Sequence, residues 1–240
     1  LSFTVRHQYA HAGVVITASH NPSHDNGFKA YFADGSQLVP PHAEEVVSRY
    51  QSISVSELLP LLSTPTDEKN WNILPTEDDL AYRAALEDSV LDPEILKDHA
   101  PKLVFTPIHG TGSISAIPAL WDHGVEVAVV DEQNQQDPNF STVDSPNPEN
   151  PEALKRGISV AQKTKSDLVL ASDPDCDRIG VAVRKSSGVY ECLTGNQVAV
   201  MLAEYRLIVA RRKKIITDEG PNQVAILKTF VTTPMISCIA

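Results

Sequence analysis

Residues 13–32 read GVVITASHNPSHDNGFKAYF. The run GVVIT has the length and β-branched content of a short buried strand. It ends on Thr17-Ala18-Ser19-His20-Asn21-Pro22, which sets a serine at the strand end just before a proline. Asn26-Gly27 is a turn signal, and FKAYF behind it alternates as a second strand does. A serine in this place either starts a turn or is held as a nucleophile, and the local residues leave both open. Ser19 and His20 are neighbours whose side chains diverge in extended backbone, so they make no hydrolase pair. There is no G-x-S-x-G either. His20 and His24 have helical zinc spacing, but Pro22 lies between them and no H-E-x-x-H is present.

Working outward, Asp34-Gly35 is a turn, and SQLVPP reads as a returning edge strand stopped by proline. A helix follows over 42–50. Residues 51–74 read as irregular, with Pro60, Pro65 and Pro75 as breakers, and a boundary is expected near there. A new unit then alternates strand and helix. After a helix over 77–89, KLVFTPIHGTG is a strand entering a glycine loop, SISAIPALWDHG a helix closed by Gly124, and VEVAVVDE a strand. Residues 133–150 form a long polar loop. NPEALKRGISVAQKTKSD is a helix with proline at its start. LVLAS is the next strand, and IGVAVRK and GVYECLT pair as a hairpin around Ser187-Gly188. GNQVAVMLAEYRLIVARRKK is a long helix whose basic end suits the helix dipole. VAILKTFV is expected to be a last strand. This alternation predicts an α/β layer sandwich.

The strand LVLAS runs into a second informative stretch, LASDPDCDRIG. Asp173, Asp175 and Asp177 stand at alternate positions, and Pro174 keeps the segment from being helical. In an extended loop, alternate side chains point the same way. Converging carboxylates repel and raise one another's pKa values unless a cation sits among them. An all-carboxylate oxygen set suits Mg2+, and a solvated acidic turn is the plain alternative. An EF-hand fails, because Arg178 and Arg184 stand where its glycine and glutamate belong. TPIHGTGS is a weaker signal. Gly110 and Gly112 permit a tight turn whose N–H groups could hold an anion, but the segment is not a P-loop, and an ordinary strand-to-helix turn explains it equally. His109 shares that ambiguity.

The 240 residues allow one large domain or two ordinary ones, and 42% hydrophobic with 21% charged residues is a globular composition. The net charge of −11 leaves no electrostatic footprint for nucleic acid, and a phosphate ligand would need local compensation. No apolar run approaches the about 20 residues that span a bilayer, and no secretory leader opens the chain. Cys176, Cys192 and Cys238 are widely spaced and odd in number, which fits reduced thiols in a cytoplasm.

Taken in order, TASHNP with NGFK, the TPIHGTG turn, DPDCDR and TGNQ resemble the α-D-phosphohexomutase family of phosphoglucomutases and phosphomannomutases. The resemblance implies three-layer α/β/α sandwich domains with mixed sheets. It implies that Ser19 carries a phosphate in the resting enzyme and that Asp173, Asp175 and Asp177 hold a Mg2+ that also binds this phosphoserine. Arg178 would bind phosphate, Lys29 would handle a proton or contact phosphate near the serine, His20 and Asn21 would line the serine loop, and His109 would border the same cleft. The implied reaction interconverts hexose 1-phosphate and hexose 6-phosphate through a hexose 1,6-bisphosphate, with glucose as the hexose and glucose 1,6-bisphosphate as activator. Sugar phosphates are the expected partners, with no nucleic acid or membrane.

Against the family pattern, residues 1–75 match the serine-bearing part of a first domain, 76–193 a second domain with the metal loop, and 194–240 the start of a third. A G-E-x-S-G sugar loop and an R-x-S-G-T-E-P phosphate loop are not found, so the 240-residue piece is expected to be inactive by itself. Phosphomannomutase, amino-sugar and pentose phosphomutase are the rivals within the family. Outside it, a Mg2+-dependent phosphatase needs Thr or Val where Asp177 stands, and a non-catalytic sugar-phosphate-binding paralogue would leave Ser19 unmodified.

Overall fold

The computed structural model describes residues 1–64, 68–216 and 225–239. They group into two compact units, one of Leu1–Ala18 with Asn26–Ala85 and one of Ser19–Asp25 with Leu86–Ala240.

In the first unit, helix α1 (Ser2–His7) precedes strand β1 (Ala12–Ile16), which pairs antiparallel with β2 (Phe28–Phe32). A Cβ on Gly27 would lie 2.0 Å from the Thr17 carbonyl oxygen, so the Asn26-Gly27 turn fits against the strand end only without a side chain. Helices α2 (His42–Ser52), α3 (Val55–Ser63) and α4 (Thr76–Glu87) follow. Two sequence expectations change here. Residues 51–74 are not irregular throughout, because Ser54 and Glu57 form a capping box that starts α3 despite Pro60 inside it. SQLVPP is no strand; it makes a single bridge, Tyr31 to Gln37.

The second unit begins its sandwich with helix α5 (Glu94–His99), then strand β3 (Lys102–Thr106), helix α6 (Ala116–Asp122), strand β4 (Glu126–Val129) and the short helix α7 (Asp131–Asn134). Helix α8 (Pro151–Thr164) leads to strands β5 (Leu168–Ser172), β6 (Ile179–Arg184) and β7 (Tyr190–Leu193), and then to helices α9 (Gly195–Arg212) and α10 (Met235–Ile239). Asn150 caps α8 by accepting the Glu152 N–H, and Pro151 stands where its missing donor costs nothing. Among the described residues the sheet runs β4-β3-β5-β6-β7, parallel across β4, β3 and β5 and antiparallel beyond. The core is apolar and close-packed: Val104, Ile108, Leu154, Ala161, Val169 and Ala182 are fully buried together. The last expected strand, VAILKTFV, is not found. Val224 lies outside the described residues, and 225–231 carry no strand and pair with neither edge of the sheet, β4 nor β7.

The sheet order positions the site. The chain leaves β3 through α6 towards β4 on one side, and leaves β5 towards β6 on the other. The carboxyl ends of adjacent β3 and β5 therefore form a topological switch point, where open α/β sheets place their ligands. The HGTG turn follows β3 and the DPDCDR loop follows β5.

Candidate active site

Within the second unit, the Ser19–Asp25 segment brings its serine to the aspartate loop. Ser19 takes a left-handed backbone with φ 55°, a conformation that costs about 1–3 kcal/mol in a residue with a side chain and clusters at functional sites. Its Oγ lies 2.9 Å from Asp173 Oδ2, 2.9 Å from Asp175 Oδ1 and 3.2 Å from His20 Nδ1. One hydroxyl carries one proton and can donate to only one of these acceptors at a time.

The aspartate loop converges by curling, and the expectation of an extended segment is corrected. The Cys176 N–H closes a turn onto the Asp173 carbonyl at 3.0 Å, with Cys176 itself at φ 59°. Asp173 Oδ1 then accepts the N–H groups of Asp177 and Arg178, each at 3.0 Å. This bends Asp177 back, and one oxygen from each of Asp173, Asp175 and Asp177 lies within 4.8 Å of the others. Asp173 is fully buried, and its pKa is pushed up to about 6, first by burial and then by its contact with Asp175. A buried carboxyl driven toward protonation by a second carboxyl is the condition a divalent cation relieves. The donors are all hard oxygens, which fit Mg2+.

Arg178 places its guanidinium 3.8 Å from Glu149, a residue of the polar loop that the sequence reading did not single out. Asn21 is exposed in the serine segment. Lys29 belongs to the first unit, on β2 opposite Val15. His109 is buried, with Nδ1 2.9 Å from the Gln135 carbonyl and Nε2 2.7 Å from Thr142 Oγ1. Gly110 packs directly against the aspartate loop: a Cβ there would lie 2.3 Å from Pro174 Cα. Pro174 belongs to the DPDCDR motif, whereas Glu149 and Thr142 meet the site's residues through tertiary packing and form no motif of their own.

The family model described as phosphoglucomutase/phosphomannomutase, alpha/beta/alpha domain I, matches residues 1–57, and that for domain II matches residues 81–188. The chain belongs to the phosphoglucomutase/phosphomannomutase family, whose members are isomerases acting by phosphoryl transfer. Phosphoglucomutases of Staphylococcus aureus strains MRSA252 and N315 are each 36% identical over 213 residues, 86% of this chain and 37% of theirs. The crystal structure of a protein from Thermus thermophilus, assigned as a phosphomannomutase, is 26% identical with a TM-score of 0.69, covering 87% of this chain and 44% of that one. A phosphoglucomutase/phosphomannomutase family protein from Burkholderia thailandensis shares the fold at a TM-score of 0.52 and 21% identity, covering 84% of this chain and 38% of its own. The chain thus spans less than half the length of each of these relatives. Among the described residues, no helix is long and apolar enough to cross a membrane.

Proposed function

We propose that the whole protein interconverts glucose 1-phosphate and glucose 6-phosphate, with Ser19 as the phosphate carrier. The observation that carries this reading is the serine oxygen set 2.9 Å from two carboxylates of a three-aspartate cluster. Kinship with proteins named phosphoglucomutase supports glucose as the hexose. In this reading residues 1–75 supply the serine loop, 76–193 the aspartate loop, and 194–240 begin a further domain.

In the first half-reaction the phosphoryl group leaves Ser19 Oγ for the O6 hydroxyl of the sugar 1-phosphate. The P–Oγ bond breaks, a P–O6 bond forms, and the O6 proton passes to a base, for which Lys29 is our candidate. Ser19 Oγ, now freed, takes up a proton. After the glucose 1,6-bisphosphate turns over, Ser19 Oγ gives up that proton and attacks the phosphorus on O1. A P–Oγ bond forms, the P–O1 bond breaks, and O1 takes up a proton, leaving glucose 6-phosphate and the phosphorylated serine. For the serine proton, His20 Nδ1, 3.2 Å away, is the acceptor within reach whose lone pair a carboxylate-bound cation would leave available. Arg178 supplies positive charge beside a group that carries about −1.5 to −2 charges when phosphorylated. Mg2+ held by Asp173, Asp175, Asp177 and the Ser19 phosphate would polarise the phosphoryl group and stabilise the serine oxygen as it leaves. The rest of the rate comes from in-line positioning.

The test is a 31P NMR assay of the whole protein with Mg2+ and glucose 1,6-bisphosphate, given glucose 1-phosphate, mannose 1-phosphate or N-acetylglucosamine 1-phosphate in turn. Conversion of the glucose compound ahead of the others supports the reading. Preference for another sugar corrects the substrate, and conversion of none overturns the activity.

A further inference from the structure

We propose that His109 is a positioning residue for the aspartate loop, acting through the turn it anchors, and is not a phosphate ligand. This inference rests on the mutase reading of that loop.

Hydrogen bonds give the orientation of every group. The Ile108 N–H donates to Thr106 Oγ1 at 3.1 Å, and the Thr106 hydroxyl donates to Gln133 Oε1 at 2.8 Å. Gln133 Nε2 donates to Thr142 Oγ1 at 3.0 Å. The Thr142 hydroxyl is then directed to His109 Nε2 at 2.7 Å, and His109 Nδ1 faces the Gln135 carbonyl at 2.9 Å. A carbonyl only accepts, so Nδ1 carries the proton and Nε2 accepts from Thr142. In this assignment each donor meets an acceptor, and Gln133 and Thr106 are fully buried within the chain of bonds. Both ring nitrogens of His109 are thereby committed to protein.

The backbone of the turn is committed as well. The N–H groups of His109, Gly110 and Thr111 donate to Gln133 O, Pro107 O and Pro174 O at 2.8, 2.9 and 3.0 Å. Three successive N–H groups that could otherwise hold an anion are therefore spent inside the fold. Thr111 grips the Pro174 carbonyl a second time through its hydroxyl, at 3.1 Å. Pro174 is the link between Asp173 and Asp175, so the grip falls between two residues of the carboxylate cluster. Ile108 and His109 hold φ values of 44° and 63°, and a β-branched residue at positive φ is a true outlier. Such strain persists only where the surroundings over-determine it. Here the network from Thr106 to Thr142 does so, and it presses Gly110 against Pro174.

The experiment uses Thr142→Val, which removes the hydroxyl that orients His109 at nearly constant shape, and Thr142→Ser, which keeps it. Thr111→Val, which removes half of the grip, serves as a milder second variant. Mn2+ alone, a hard cation in place of Mg2+, is titrated and followed by its spin resonance, with Asp173→Asn as the control. Amide exchange at Thr111, Asp177 and Arg178 is followed without metal. We expect Thr142→Val to weaken Mn2+ binding about 10-fold or more, as loss of an orienting partner does, and to speed exchange at those amides. Thr142→Ser should restore both. If wild type binds Mn2+, Asp173→Asn does not, and Thr142→Val matches wild type in affinity and exchange, the positioning role is overturned while the metal reading stands. If wild type binds no Mn2+, the metal reading fails, and unchanged exchange in Thr142→Val overturns the positioning role separately. Weaker binding of inorganic phosphate by His109→Asn, at unchanged Mn2+ affinity, also overturns it, because His109 would then touch phosphate directly.

Discussion

Ser19 Oγ lies 2.9 Å from Asp173 Oδ2, although 154 positions separate the two residues. The contact joins a strained serine to a buried carboxyl at the switch point of the sheet. Neither feature is cheap in an isolated fold, and both become useful if a cation and a phosphate share the gap.

Asp173→Asn should cut Mg2+ affinity by about two orders of magnitude, since losing one partner of a buried charged contact costs about 3 kcal/mol and each 1.4 kcal/mol is tenfold. The asparagine oxygen can still accept the Asp177 and Arg178 N–H groups. Its metal-free melting temperature at neutral pH should therefore be no lower than that of wild type. Calorimetric titration and thermal melting check the two halves.

Acid should stabilise the metal-free site. The Asp173 carboxyl titrates near 3.8 when unfolded and at about 6 when folded, because burial disfavours its charge. A raised folded value contributes stability that is fully present below pH 3.8 and is lost as pH rises through about 6. Mg2+ needs the charged form, so the melting shift it produces should be larger at pH 7.5 than at pH 5. An equal shift at both would contradict this account of Asp173.

Asp137 has the opposite sign. Its carboxylate accepts hydrogen bonds from the Ser141 side chain and from the backbone of Ser141 and Asn139, which lower its pKa from 3.8 to about 2. That contribution is present above pH 3.8 and is lost as pH falls through about 2. An NMR titration of this carboxyl should show the low midpoint, and Ser141→Ala should raise it.

Leu154 is fully buried in the core of the second unit, on α8. Leu154→Ala should cost about 2–5 kcal/mol in denaturant unfolding, with the serine–aspartate contacts retained in the folded fraction.

Much of the second unit was legible in the sequence. The short apolar runs of β3, β5 and β6 are bounded by proline, glycine and acidic turns. The three aspartates were legible as a set, but not the way they converge, because the turn depends on Cys176 adopting positive φ and on Asp173 capping its own loop. Helix α3 was hidden by Pro60, whose breaking tendency outweighed a Ser54–Glu57 box that was present to be read. SQLVPP has strand composition, but a strand needs a partner along its length, and its pairing with β2 is confined to the bridge at Gln37 and the backbone bonds of Ser36 and Leu38 that flank it. The structural use of His109 was out of reach, since Gln133, Gln135 and Thr142 carry no pattern until the polar loop folds over the turn.

The most direct test of the central claim is phosphopeptide mapping after incubation with glucose 1,6-bisphosphate and Mg2+, on wild type and on Ser19→Ala. The account predicts phosphate on Ser19 in wild type and an unmodified peptide in the variant. Phosphate on another residue, or an unmodified Ser19 under all conditions, would contradict the carrier role.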